Sequence, residues 1–102
     1  MRRASRVDAN QSAIVKALRE IGATVQVLSA VGQGCPDLAV GYHGVNVLLE
    51  AKDGSKTPGN RVLTADEAKW HKTWGGQVAV VLSPEDAQRV VIRVAMEAQD
   101  GR

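Results

Sequence analysis

The pattern of apolar and polar positions predicts a β-hairpin over residues 36–52. Two β-prone runs in this segment are separated only by His43 and Gly44, which suit a two-residue turn. Counting outward from that turn pairs Leu38 with Leu49 across the two strands. The second run has consecutive apolar residues before its polar end, which is typical of a strand covered on both faces.

Helices are predicted towards both ends of the chain, where apolar residues recur at helical spacing. Asp8 and Gln11 have the spacing of a capping box at the start of the first helix, which we expect to end at Gly22. Ser83 caps the last helix, although the β-branched residues 90–94 also suit a strand. The apolar stripes are Ile14, Val15, Leu18 and Ile21 in the first helix, and Ala87, Val90, Val91, Val94 and Ala98 in the last.

A third helix is predicted to run from Thr64 through Trp74, because Thr64 and Glu67 have the spacing of a second capping box. Trp70 and Trp74 lie one turn apart, and we interpret them as core residues rather than as a base-stacking surface. The apolar run at 77–82 follows this helix and is predicted to be a strand. A strand, a helix and a strand in succession favour a right-handed parallel crossover.

Together with a strand at 24–29, these elements predict an α/β fold in which a small mixed sheet is flanked by helices. The chain of 102 residues has the size of one domain. We expect a basic flexible arm at 1–7, a single domain over 8–99 and a tail at 100–102.

Composition narrows the class of protein only slightly. The net charge of +2 is mildly basic, so nucleic-acid binding would require local clusters of positive charge. The single cysteine, Cys35, excludes an internal disulfide and is interpreted as a small buried residue rather than a nucleophile. No apolar run reaches membrane-spanning length and the N-terminus has no apolar signal-peptide core, so we expect a cytoplasmic protein with no membrane partner.

The candidate chemistry lies at the open end of the hairpin. The register places Asp37 opposite Glu50, and Lys52 on the same face as Glu50. Opposed carboxylates repel each other unless a cation lies between them, and their oxygens suit Mg²⁺ or Mn²⁺. Such an ion binds a phosphate oxygen and acidifies water, while a lysine ammonium stabilises negative charge. The alternative, a loop cap and two solvated charges, is disfavoured by the apolar run before Glu50.

These residues resemble the PD-(D/E)XK nuclease superfamily. Within it, the glycine-rich approach at 32–38, the helix at 64–74 and the strand after Gly76 make the chain similar to the VRR-NUC branch, the virus-type replication-repair nucleases, in its stand-alone phage form. The resemblance extends from about Asp8 to about Ser83. The two motifs that define the superfamily pattern are Pro36-Asp37 and Glu50-Ala51-Lys52.

The resemblance implies a restriction-endonuclease-like αβββαβ core and metal-dependent hydrolysis of DNA. It implies that Asp37, Glu50 and the carbonyl of Ala51 hold one or two Mg²⁺ or Mn²⁺ ions. It also implies that Lys52 orients or activates the attacking water and stabilises the transition state. A homodimer that cuts branched DNA such as Holliday junctions, in a bacterial cytosol, is the biological setting that it suggests.

Further candidate residues surround this site. Gln11 matches the position from which the first helix of the superfamily lends an acidic or amide residue; Glu20 is the alternative, and helix capping is the competing role of Gln11. Gln77 either supports the site through water or phosphate or only pairs at a strand edge. His71 is interpreted as a surface histidine. Candidate DNA contacts, for which solvated surface charge is the competing interpretation, are Lys56, Arg61, Lys69, Lys72, Arg3 and Arg6.

Two other functions stay open from the sequence. One is a flap, nicking or restriction-like nuclease of the same chemistry, and the other is a non-catalytic nucleic-acid-binding module on a nuclease fold. The presence of Asp37, Glu50 and Lys52 together disfavours the second, because a binding module gains nothing from carboxylates beside phosphate.

Overall fold

The structure, a computed structural model, describes residues 9–55, 59 and 62–101. The elements follow in the order helix, three strands, helix, strand, helix. Their bounds are α1 Ala9–Glu20, β1 Thr24–Val27, β2 Leu38–Tyr42, β3 Val45–Ala51, α2 Ala65–Thr73, β4 Val78–Val81 and α3 Pro84–Asp100. The predicted α/β class with a small mixed sheet flanked by helices is confirmed, and the order is compatible with an αβββαβ core followed by one more helix.

The four strands form one sheet in the order β1-β2-β3-β4, in which only β3 and β4 are parallel. The predicted hairpin register is confirmed, since Leu38 pairs with Leu49. Its turn residues, His43 and Gly44, both have positive φ, at 50° and 80°. A two-residue turn with this backbone twist matches the twist of the flanking strands, which is why the register is fixed locally.

The register sorts the strand residues onto two faces of the sheet. One face packs against α1 and α3 and forms the core. The opposite face carries Ala39, Leu48 and Glu50. The core is built mainly from Ile14, Leu18, Leu38, Val40, Val47, Leu49, Val81, Val90, Val91 and Val94.

Helix α2 begins with the predicted capping box, in which Glu67 N donates to Thr64 Oγ1 and Glu67 Oε1 accepts from Thr64 N. The interpretation of its tryptophans as core residues is wrong. No residue of α2 is buried, and Trp74 is 47% exposed. The rings of Trp70 and Trp74 instead stack on each other, with centroids 4.4 Å apart. The core is already filled by α1 and α3, so α2 remains outside it.

The predictions for the two ends of the chain have different outcomes. The strand alternative for residues 90–94 is wrong, because α3 is continuous from its Ser83 cap. The predicted tail begins at Asp100, but Asp100 is the last residue of α3. The predicted cap Asp8 and the arm at 1–7 lie outside the described residues. None of the described helices is long and apolar enough to cross a lipid bilayer.

Candidate active site

The hairpin brings Asp37 to the end of β3. Asp37 directly precedes β2, and its carbonyl accepts a hydrogen bond from Leu28 N, at 2.6 Å. Its side-chain Oδ2 accepts from Ala51 N, at 2.9 Å. These two bonds fix the carboxyl group beside the last residues of β3, opposite Glu50 as the sequence register predicts.

Glu50 is the buried carboxyl group of the site, with 3% of its surface exposed. Its Oε1 has no hydrogen-bond partner in the described part of the chain. Burial, together with the adjacent carboxyl groups of Asp37 and Glu67, raises the pKa of Glu50 to about 9, although Lys52 acts in the opposite direction. Two carboxyl groups in contact are stable only when they share a proton or a cation, so the protein without a cation holds a proton here at neutral pH.

Lys52 lies next to this pair. Its Nζ is 3.9 Å from Glu50 Oε2 and 2.8 Å from Glu67 Oε1. Burial alone would lower the pKa of Lys52, but the hydrogen bond to Glu67 and the surrounding carboxylates raise it. The main chain of Lys52 is held on both sides, because its N–H donates to Val81 O at 2.9 Å and its carbonyl accepts from Asn10 Nδ2 at 2.7 Å. The ammonium is therefore a fixed positive charge.

Glu67 is the site residue that the sequence did not reveal. Burial opposes its ionisation, but the hydrogen bonds from Lys52 and from Thr64 N lower the pKa of Glu67. The capping box fully accounts for a glutamate at this position, so no signal in the sequence pointed to a second role. Asn10, which links α1 to the carbonyl of Lys52, was missed for the same reason: a polar residue in the first turn of a helix is ordinary.

Cys35 and His71 border the cluster. Cys35 is only partly buried; burial and the nearby Glu50 and Asp37 carboxyl groups raise the pKa of its thiol, which disfavours the thiolate. His71 Nε2 is buried without a hydrogen-bond partner among the described residues, and burial lowers the pKa of His71. His71 as a whole is only partly buried, so its interpretation as a surface histidine stays a prediction.

The donor set fits a hard divalent cation only in part. Within residues 9–55, 59 and 62–101, no group of three or more His, Cys, Asp or Glu side chains is arranged to hold a metal ion. Two carboxyl groups and a main-chain carbonyl are nevertheless the kind of partial shell that Mg²⁺ occupies while it keeps waters or substrate oxygens. The unpartnered, buried Oε1 of Glu50 is the observation that matches such an ion.

The two predicted supporting glutamines have different surroundings. Gln11 is buried in α1, where its Nε2 donates to Ser29 Oγ at 3.2 Å. The alternative Glu20 closes α1, ten residues beyond Asn10 and thus about 15 Å along the helix. Gln77 precedes β4 by one residue; because Val80 pairs with Glu50, Gln77 is about 10 Å away along the strand.

Two of the predicted DNA contacts, Lys69 and Lys72, are among the described residues. Lys69 and Lys72 are exposed on α2, but they lie about 140–200° around the helix axis from Glu67. They therefore face away from the candidate site. Lys56, Arg61, Arg3 and Arg6 lie outside the described residues.

Comparisons with known proteins identify no relative of this chain. No family model, curated protein or solved structure matches the chain significantly. The resemblance to the nuclease superfamily rests on the residues of this chain alone.

Proposed function

We propose that this chain is a metal-dependent DNA endonuclease of the PD-(D/E)XK superfamily, and that it hydrolyses phosphodiester bonds at the Asp37, Glu50 and Lys52 cluster. The observation that carries the proposal is the buried Glu50 carboxyl group, which faces Asp37, has an unpartnered Oε1 and has its Oε2 3.9 Å from the Lys52 ammonium. A purely structural site would gain stability from an apolar residue at this position.

Each residue has a distinct role in this proposal. Asp37, Glu50 and the Ala51 carbonyl would hold Mg²⁺ or Mn²⁺. When bound, such an ion supplies a Lewis acid that binds a phosphate oxygen and lowers the pKa of water. Lys52 contributes a positive charge beside the reacting phosphate, where it stabilises the negative charge that develops as water attacks phosphorus and the bond to the leaving oxygen breaks.

The substrate that we propose is branched DNA, such as a four-way junction, cut by a homodimer. This part rests on the resemblance of the motifs to stand-alone phage nucleases and to archaeal junction resolvases. Two copies related by a twofold axis would present two sites to two symmetric strands. The exposed apolar residues Ile92 and Met96 on α3, and Trp74 at the C-cap of α2, are candidates for the dimer contact.

The test is cleavage of labelled four-way junction, flap and linear duplex DNA in Mg²⁺, Mn²⁺ or EDTA. We expect metal-dependent cutting of the junction, and a loss of at least about 100-fold in Glu50→Gln and in Lys52→Met. Calorimetric titration with Mn²⁺ should show weaker binding to Glu50→Gln. Suitable controls are Glu97→Gln and Lys16→Met, which change the same side chains at exposed positions of α3 and α1.

Each outcome has a definite meaning. Cutting of all three substrates alike would retain the chemistry and reject the preference for branched DNA. Binding of DNA without cleavage in either metal would favour the non-catalytic module. Unchanged Mn²⁺ affinity in Glu50→Gln would reject the site itself.

A further inference from the structure

The residue that touches the Lys52 ammonium is Glu67, not Glu50. The distance from Lys52 Nζ to Glu67 Oε1 is 2.8 Å, that of a charge-assisted hydrogen bond. The distance from Lys52 Nζ to Glu50 Oε2, 3.9 Å, is too long for a hydrogen bond. The side chains of Lys52 and Glu67 are 16% and 18% exposed, so this ion pair is shielded from solvent far more than an ordinary surface pair.

The Glu67 carboxylate is oriented independently of the lysine. Its Oε1 also accepts from Thr64 N, at 2.9 Å, while Glu67 N donates to Thr64 Oγ1, at 3.2 Å. These two bonds form the capping box of α2 and hold the glutamate in one conformation. Lys52 therefore meets an acceptor whose position is set by the helix terminus.

The first turn of α2 is itself held close to the strand ends. At Gly34, three residues before Asp37, an added Cβ would lie 2.3 Å from Asp66 O, so the loop backbone is in direct contact with this turn. Because no residue of α2 is buried, the turn is located by this contact and by the Lys52–Glu67 bond rather than by the core.

We propose that Glu67 is a positioning residue, which holds the Lys52 ammonium in place for the hydrolysis of DNA. The proposal rests on the proposed function, and it adds a residue from α2 to the site. Without Glu67, the four-carbon stem of Lys52 would sample several rotamers, because Glu50 lies beyond hydrogen-bonding distance of its ammonium.

The kinetic test compares Glu67→Ala, Glu67→Gln and Asp66→Ala. We expect kcat of Glu67→Ala to fall about 100-fold with KM nearly unchanged, the size expected when a catalytic group is misplaced by about 1 Å. Glu67→Gln should recover most of this loss, because its amide oxygen can accept the same two hydrogen bonds. Asp66→Ala removes an exposed carboxylate from the same turn and should leave kcat within about threefold of the wild type.

A second measurement does not depend on nuclease activity. Lysine acylation followed by peptide mass spectrometry reports how well each amine is protected, with the exposed Lys69 and Lys72 as internal references. Labelling of Lys52 should rise several-fold in Glu67→Ala and stay at the wild-type level in Asp66→Ala.

The two measurements separate the two proposals. If the wild type cuts no DNA, the proposed function fails, and the labelling still decides whether Glu67 holds Lys52. Unchanged Lys52 labelling in Glu67→Ala, or equal losses of kcat in Glu67→Ala and Asp66→Ala, would overturn the positioning role.

Discussion

A buried carboxyl group that faces a second carboxyl group is costly to ionise, and Glu50 is in this position. Its ordinary pKa of 4.5 rises to about 9 in the folded chain, mainly through burial and then through contact with Asp37. Between these two pH values the folded chain keeps a proton that the unfolded chain has lost. The stability that this proton contributes is complete below pH 4.5 and disappears as the pH rises towards 9.

We therefore predict that the metal-free protein loses stability as the pH rises from about 5 to about 9. The slope contributed by one such group is at most about 1.4 kcal/mol per pH unit. Denaturation by urea in EDTA, repeated across this range, measures it. In Glu50→Gln the amide stays neutral at every pH, so this part of the slope should vanish and the variant should be the more stable protein at high pH.

The exchange Glu97→Gln provides the comparison, because it makes the same chemical change at an exposed position of α3. Parallel curves for the wild type and Glu50→Gln would show that Glu50 is ionised in the folded protein throughout, contrary to its burial.

Single residues were predictable from the sequence where strand geometry places them. The turn at His43 fixes the register, and the register sets Asp37 against Glu50. Glu67 was not predictable, because its contact with Lys52 depends on where α2 lies in space. A capping box locates a helix terminus along the chain but says nothing about which strand that terminus touches.

Among the helices, α2 packs least closely against the rest of the molecule. It has no buried residue, and its first turn lies against the glycine-rich loop before β2. Gly34 and Gly32 in this loop both have positive φ, 83° and 80°. They differ in their surroundings, since a Cβ on Gly32 would meet nothing within 4 Å, whereas a Cβ on Gly34 would collide with the main chain of α2.

This difference leads to a prediction about the docking of α2. Gly32→Ala should cost only the strain of a positive φ, about 1–2 kcal/mol. Gly34→Ala carries the same strain and must also displace the first turn of α2. We expect Gly34→Ala to lose more free energy of unfolding, and its α2 amides to exchange hydrogen faster than those of Gly32→Ala.

Measurement of both variants separates backbone strain from the collision. If the two variants had equal free energies of unfolding and equal exchange rates in α2, the close approach of Gly34 to Asp66 would not contribute to stability. Slower exchange in Gly34→Ala would contradict the docking outright.

At this scale the sequence predicted the elements better than their packing. Local rules located the hairpin and the caps at Thr64 and Ser83, because those signals involve neighbours in the chain. The apolar character of Trp70 and Trp74 suggested the core, but it could not show that α1 and α3 already fill the only packed face of the sheet in the described chain. The rings cover each other instead.

In the whole molecule, one face of the sheet holds the hydrophobic core and the other face holds the candidate site. The face towards α1 and α3 holds the core, and Leu49 on this face is completely buried. The opposite face carries Leu48, which is only partly buried, and Glu50. Because alternate residues of one strand serve the two faces, neighbouring substitutions in β3 should have different consequences.

Leu48→Ala and Leu49→Ala test this division with the same chemical change at adjacent positions. Leu49→Ala removes a fully buried side chain and should cost about 2–5 kcal/mol of unfolding free energy, since the sheet and two helices cannot collapse into the cavity. Leu48→Ala should cost less, about 1 kcal/mol, because its side chain is only partly buried. Urea denaturation of both variants in EDTA gives the two values without interference from metal binding. Equal losses would mean that α2 covers Leu48 as firmly as α1 and α3 cover Leu49, and the sheet would then have two packed faces, with the candidate site at the edge of a second core.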